Sequence, residues 1–270
     1  MSGALLHRWP TPLVEGRLVR RYERFVAFVK VGSEVVRAHC VNPGRMEGMV
    51  VPGARVWLSR APSPLRALQW TWELVELDGV MVGANTGLPN RLAGEVLRQG
   101  LLPGLSGFTR IIPEQRFGRG HRVDFALERG GRLELLEVKN CHLVYPDARG
   151  YFPDSRSERA RGHVEALARL ARKGIATHVL FTLQRADVEA LRPSGLHDPA
   201  FAAAVRSAAR AGVSFRAARL LPGPEGIWFD TEVPVDLAPY DLELARVFSA
   251  GYDATSGWER KDGRVAGGSL

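Results

Sequence analysis

The rhythm of apolar and polar positions changes near residue 88. Before it, short apolar runs are cut by Gly, Pro and Asp signals. Leu18–Val29, Val35–Val41, Ala54–Leu58, Gln69–Leu77 and Val80–Ala84 read as strands. Asp78-Gly79, between two such runs, predicts a hairpin. Short strands with no helix among them predict a small barrel of the OB type, with a β-sandwich as the alternative.

Helical spacing appears after Leu88-Pro89-Asn90. Asn90 is placed to cap a helix over Arg91–Gln99 that Gly100 stops. Strands are expected at Ile111–Phe117, Arg122–Leu127 and Arg132–Lys139, with Gly118-Arg119-Gly120 as a hairpin turn. A polar loop follows over 140–157. Val164, Leu167, Leu170 and Ala171 form the apolar face of a helix from Glu158 to Lys173. Ile175–Leu183 reads as a strand. Asp198-Pro199 then opens a helix over Phe201–Ala211, and Val213–Leu220 is a further strand. The order from residue 91 is α-β-β-β-α-β-α-β, an α/β arrangement compatible with a nuclease-like core and with other folds. The chain thus divides into 1–88, 89–236 and a tail, 237–270. A turn or two of helix is expected at Tyr240–Phe248, and the glycine-rich stretch 254–270 is expected to lack structure.

Composition narrows the partner. The chain has 270 residues, 45% hydrophobic and 24% charged, with a net charge of +8. Its pI of about 10.1 favours a polyanion, nucleic acid first, although an arginine-rich composition alone gives the same number. Cys40 and Cys141 are the only cysteines and form no C-x-x-C pair. The first ten residues do not read as a signal peptide, and no apolar run is long enough for a bilayer, so a cytoplasmic protein without membrane contact is expected. DNA and RNA, monomer and dimer, remain alternatives.

Only four of the 37 basic residues are lysines, and one closes Glu137-Val138-Lys139 at the end of an apolar run. In a strand, Glu137 and Lys139 share a face. Asp124 lies in the preceding apolar segment. Charges on mostly buried strands need partners or a metal. Asp124, Glu137 and Lys139 are therefore the catalytic candidates, with the two carboxylates as ligands for Mg²⁺ or Mn²⁺ and the Val138 carbonyl as a further oxygen. Lys139 is expected to position water or meet charge on a phosphate. Glu95 is a further catalytic candidate, and Glu114 and Asp154 are auxiliary ones. The plain alternative for Glu137 and Lys139 is a strand-end ion pair. Basic clusters offer a nucleic-acid surface: Arg20, Arg21 and Arg24 with Tyr22 and Phe25 interleaved, and Arg159, Arg161 and His163 at a helix start. Arg45, Arg66 and Arg122 are added as binding candidates. His39, His121, His142 and His163 do not share zinc-ligand spacing with the cysteines. No phosphate-binding glycine loop is present.

These residues together resemble the sugar fermentation stimulation protein A (SfsA) family. The resemblance runs through Arg20–Phe25, His39–Met46, Thr71–Leu74, Asn85-Thr86, Asn90–Leu92 and Leu105–Gly107. It continues through Arg122–Phe125, Glu137–Lys139, Tyr151–Asp154, Glu158-Arg159 and His163, and so covers roughly 14–235. It implies an N-terminal OB-like domain followed by a PD-(D/E)XK nuclease-like domain. It also implies DNA binding without strong sequence preference, and a link to regulation of sugar use, maltose in particular. Asp124, Glu137 and Lys139 match the nuclease-like signature. The chain departs from the family pattern at Pro43, where threonine is usual after Asn42. That change removes a hydroxyl and a backbone donor from any ligand contact there. His121 replaces a usual serine, and Glu158-Arg159-Ala160-Arg161-Gly162-His163 lacks the usual lysine.

Overall fold

The computed structural model describes residues 3–117 and 121–266. The Gly118-Arg119-Gly120 turn and the last four residues lie outside it.

The strands are β1 Leu5–Arg8, β2 Val14–Tyr22, β3 Val26–Val31, β4 Glu34–His39, β5 Arg55–Arg60, β6 Trp70–Leu77 and β7 Val80–Gly83. Helix α1 spans Pro89–Arg98. Then come β8 Arg110–Phe117, β9 His121–Arg129, β10 Arg132–Cys141, β11 Arg149–Phe152, α2 Glu158–Ala171, β12 Ala176–Leu183 and β13 Ala190–Pro193. The chain continues through α3 Pro199–Arg210, β14 Ser214–Gly223, β15 Gly226–Val233, α4 Leu242–Gly251, β16 Trp258–Glu259 and β17 Val265–Ala266.

A closed barrel forms from β2-β3-β4-β6-β5, with β5 returning to pair with β2. Leu18, Val29, Val56, Leu58 and Trp72 fill it. The run Leu18–Val29 is a hairpin rather than one strand. Its turn carries positive φ at Glu23 (45°) and Arg24 (65°), with no glycine or asparagine to announce it. Asp78-Gly79 turns β6 into β7 as its composition predicts.

The second unit is a seven-stranded mixed sheet, β1-β15-β14-β12-β10-β9-β8. Strands β10, β12 and β14 run parallel, and the outer pairs are antiparallel. Alternation along the central strands sends Leu135, Val179 and Phe181 toward α2 and α3, and Leu136, Val138 and Leu180 toward α1. Each face is therefore covered by helix, as buried parallel strands require. Trp57 and Leu74 of the barrel join the α1-side core, which fastens the two units together.

Several boundaries need correction. Asn90 is not a cap, because Pro89 takes the first helical turn and Leu88 precedes it. Strand β1 belongs to the second sheet, not to the barrel. Leu6 and Trp9 are buried in its core, and Trp9 Nε1 donates to Gly223 O at 2.9 Å. The 140–157 stretch contains β11, which pairs with β13. The helix expected at Tyr240–Phe248 forms as α4, Leu242–Gly251, whereas the stretch from 254, expected to lack structure, is built as far as residue 266. Asp241 caps α4, whose Ala245 and Phe248 pack on Tyr145 and Tyr151, and β16 then pairs with β2. Both cysteines are free and buried. Among the described residues, no helix is long and apolar enough to cross a membrane.

Candidate functional site

The β9–β10 ladder ends at the pair Phe125–Leu136. Beyond it the strands part, and the next backbone donor on β10 needs another acceptor. Asp124 supplies it: Oδ2 accepts from Val138 N at 2.7 Å. Its Oδ1 accepts from Asn90 Nδ2, also at 2.7 Å. The strand end is thus stitched by a carboxylate, and α1 contributes the second stitch. Gly94 helps α1 sit close, since a Cβ there would lie 3.3 Å from the Phe125 ring.

One register step further, Glu137 points toward α2, on the same side as Leu135. Its Oε1 accepts from Lys139 Nζ at 2.6 Å and from His163 Nδ1 at 2.5 Å. Lys139 is 13% and Glu137 5% exposed, so this pair is screened far less than a surface one. Burial pushes the Glu137 carboxyl up, but the bonds from His163 and Lys139 outweigh it and hold it below the usual range. Asp124 behaves oppositely. Burial and the nearby Glu137 charge raise its carboxyl above the usual value, despite the bonds from Val138 and Asn90. A hollow of about 230 Å³ opens beside Asp124, lined in part by Asn90, Arg91, Arg98 and Glu114.

Two carboxylates that repel one another, one of them raised, form a donor set that a divalent cation would relieve. Among the described residues, no group of three or more His, Cys, Asp or Glu side chains is arranged as a metal cage.

The structure brings Asp124, Glu137 and Lys139 together and adds Asn90 and His163. Both additions stand in the stretches that carry the family resemblance, Asn90 expected as a helix cap and His163 as part of a basic surface. Glu95 accepts from Arg98 at 2.7 Å on α1, and that bond holds its carboxyl low. Glu114, with φ of 59°, lies at the hollow and pairs with Arg122 at 2.6 Å. Asp154 sits elsewhere, 3.3 Å from His142 Nε2 and close to Gly44 of the barrel. Asn42 turns its own loop, with Oδ1 accepting from Gly44 N at 2.8 Å.

The basic candidates divide by burial. Arg21 is 1% exposed and donates to the carbonyls of Arg24, Asn42, Gly44 and Gly257. Arg45 is 8% exposed and pairs with Glu47 at 3.0 Å and Asp253 at 2.6 Å. Neither presents a head group to a phosphate, so both are corrected to structural roles. Arg66 bonds Thr71 and His39 on the barrel, and the His39 imidazole is lowered by burial and by that guanidinium. Arg24, Arg122 and Arg159 are exposed, Arg20 and Arg161 are half-buried, and Arg161 lies 3.7 Å from Glu165.

The molecule is therefore a two-unit protein, an OB-type barrel joined to an α/β sheet with an acid-acid-lysine cluster where two strands part. Known proteins share this plan. Residues 19–84 match the SfsA N-terminal OB domain, and residues 87–226 match the sugar fermentation stimulation protein RE domain. A sugar fermentation stimulation protein homolog of Methylobacterium sp. (strain 4-46) is 43% identical over 84% of this chain and 97% of its own. A homolog from Geobacter metallireducens is 42% identical over 85% of this chain and 100% of its own. The solved structure of Pyrococcus furiosus SfsA in complex with Ca²⁺ superposes with a TM-score of 0.78 at 27% identity, covering 86% of this chain and 99% of that one. The chain belongs to the sugar fermentation stimulation protein (SfsA) family.

Proposed function

We propose that this protein binds nucleic acid, DNA first, and holds the phosphate backbone at a divalent-cation site formed by Asp124 and Glu137. The observation that carries this reading is the convergence of both carboxylates with Lys139 at the parted ends of β9 and β10, beside exposed Arg91, Arg98 and Arg122. The Ca²⁺ in the Pyrococcus relative supports it as an observation on that protein. Bound Mg²⁺ or Mn²⁺ supplies Lewis acidity toward a phosphoryl oxygen and makes coordinated water more acidic. Asn90 and the Val138 amide hold the Asp124 carboxylate in place, and His163 and Lys139 do the same for Glu137. The arginines attract the backbone without reading its sequence. On this reading, the regulation of sugar use expected from the family resemblance acts through DNA.

A second reading, hydrolysis of the phosphodiester, is favoured by Lys139. A binding surface has no need of a largely buried lysine beside two acids. Lys139 is placed to orient water or to meet charge developing on phosphate oxygen. The two readings separate when the protein is incubated with supercoiled plasmid, single-stranded DNA and RNA, with Mg²⁺ or Mn²⁺ and with chelator, beside Asp124→Ala. Metal-dependent cutting lost in the variant establishes the enzyme. Salt-sensitive binding without cutting leaves a binding protein. Absence of both sinks the proposal.

A further inference from the structure

The family matches end at residue 226, yet the chain beyond them returns to the barrel. Val50 N donates to Thr255 O and Gly257 N to Arg45 O, each at 2.8 Å. Strand β16 then lies parallel to β2, with Glu23 N donating to Glu259 O at 2.8 Å. This places Trp258 and Arg260 beside the β2–β3 turn.

The patch so formed alternates rings and guanidinium groups. Arg24 lies 4.7 Å from the Trp258 ring centre and 5.9 Å from that of Phe25. Arg20 lies 4.4 Å over Phe28 and 5.2 Å over Tyr22. Phe25 is 44% exposed. A hollow of about 460 Å³ opens between Arg24, Phe25, Trp258 and Arg260, within the roughly 300–1,000 Å³ of small-ligand clefts.

Charge in the patch is uneven in a useful way. Its two acids are already engaged: Glu259 accepts from Arg20 at 2.6 Å, and Glu23 accepts from Lys261 N at 2.7 Å. Among the described residues, Arg24 and Arg260 form no ion pair. Cations free of ion pairs, set beside an exposed Phe25 and a partly exposed Trp258 on whose ring Arg21 and Arg24 both rest, suit a ligand that is anionic along its backbone and flat in its side groups. Nucleic acid with unpaired bases has that chemistry, whereas a duplex keeps its bases stacked on one another.

We propose that this barrel patch binds single-stranded nucleic acid, with bases stacked on Phe25 and Trp258 and phosphates held by Arg24 and Arg260. The inference rests on the nucleic-acid reading above, and it adds a second surface separate from the Asp124 cluster.

The test is fluorescence anisotropy of the full chain, in chelator, with short labelled oligo(dT), an abasic strand of equal length, and a duplex. Wild type is expected to prefer oligo(dT) to the abasic strand by about tenfold. Phe25→Ala and Trp258→Leu should lose that preference while keeping abasic binding. Trp258→Phe should retain it. Equal binding of oligo(dT) and abasic strand by wild type overturns the patch and leaves the nucleic-acid reading standing, as does a preference that survives both ring variants. No binding of any of the three probes in chelator overturns the patch, and only if binding is still absent with Mn²⁺ added does the nucleic-acid reading fall with it.

Discussion

Two of the buried charge clusters among the described residues are built to opposite ends. At the joint between barrel and sheet, Glu47 is closed on every side. Its Oε1 accepts from Tyr145 at 2.7 Å, and its Oε2 accepts from Arg45 at 3.0 Å and from His197 at 2.9 Å. His197 is held in turn by Ser194 at 2.7 Å, and the Glu47 and His197 side chains are fully buried. At the ends of β9 and β10, the bonds to Asp124 and Glu137 leave Asp124 above its usual range, beside an open hollow. A carboxylate that its neighbours fully satisfy serves structure. One left under-compensated at an opening is where the proposed cation would sit.

The contrast breaks most sharply at Glu47. Glu47→Ala leaves Arg45 and His197 buried without their anion, and it should cost about 3–5 kcal/mol in denaturant unfolding. A cost below about 1 kcal/mol would mean that the network does not fasten the units. Burial pushes the Glu47 carboxyl up, but His197, Tyr145 and Arg45 overcome this and hold it below its ordinary 4.5. A lowered carboxyl stabilises the folded state above its unfolded value. That contribution should fade as pH falls below 4.5, and Glu47→Gln should flatten this acid limb.

The second break is chemical rather than structural. If the second reading is correct, Lys139→Ala should reduce metal-dependent turnover by about 10²–10³-fold, the scale of losing one charge-stabilising donor. Unchanged turnover would return Lys139 to the role of an ion-pair partner.

A smaller effect sharpens the comparison. The raised Asp124 carboxyl means that the folded chain resists its charge at neutral pH. In chelator at pH 7, Asp124→Asn should therefore stabilise the folded chain modestly. The gain should vanish as pH falls through the raised value, where Asp124 is already protonated. Destabilisation at pH 7 would show that Asp124 is a satisfied structural group like Glu47. Smallest of all, Arg122→Ala should change stability by no more than about 1 kcal/mol and lower the salt slope of DNA affinity by about one unit.

The sequence carried the Asp124–Glu137–Lys139 cluster further than it carried the joint. Glu137 and Lys139 share a strand face by alternation alone, and Asp124 stood on the neighbouring apolar run. Asn90 and His163 reach the cluster from helices, and strand periodicity says nothing about contacts made across layers. Glu47, His197 and Ser194 come from distant loops and gave no local signal. Arg21 and Arg45 looked like surface cations because composition does not show burial. The β2–β3 turn escaped because Glu23 and Arg24 take left-handed angles without the usual residues. Strands β1, β11 and β13 are four residues each, too short for alternation to mark them. The tail looked structureless from its glycines, yet a few side chains, Phe248, Tyr252 and Trp258, anchor it.

The most direct measurement is titration calorimetry of the protein with Mn²⁺, beside Asp124→Ala and Glu137→Gln. The account predicts one saturable site in wild type that is lost in both variants, each still folded at the assay temperature by circular dichroism. No heat of binding in wild type, or equal binding in the variants, would contradict a cation site at Asp124 and Glu137.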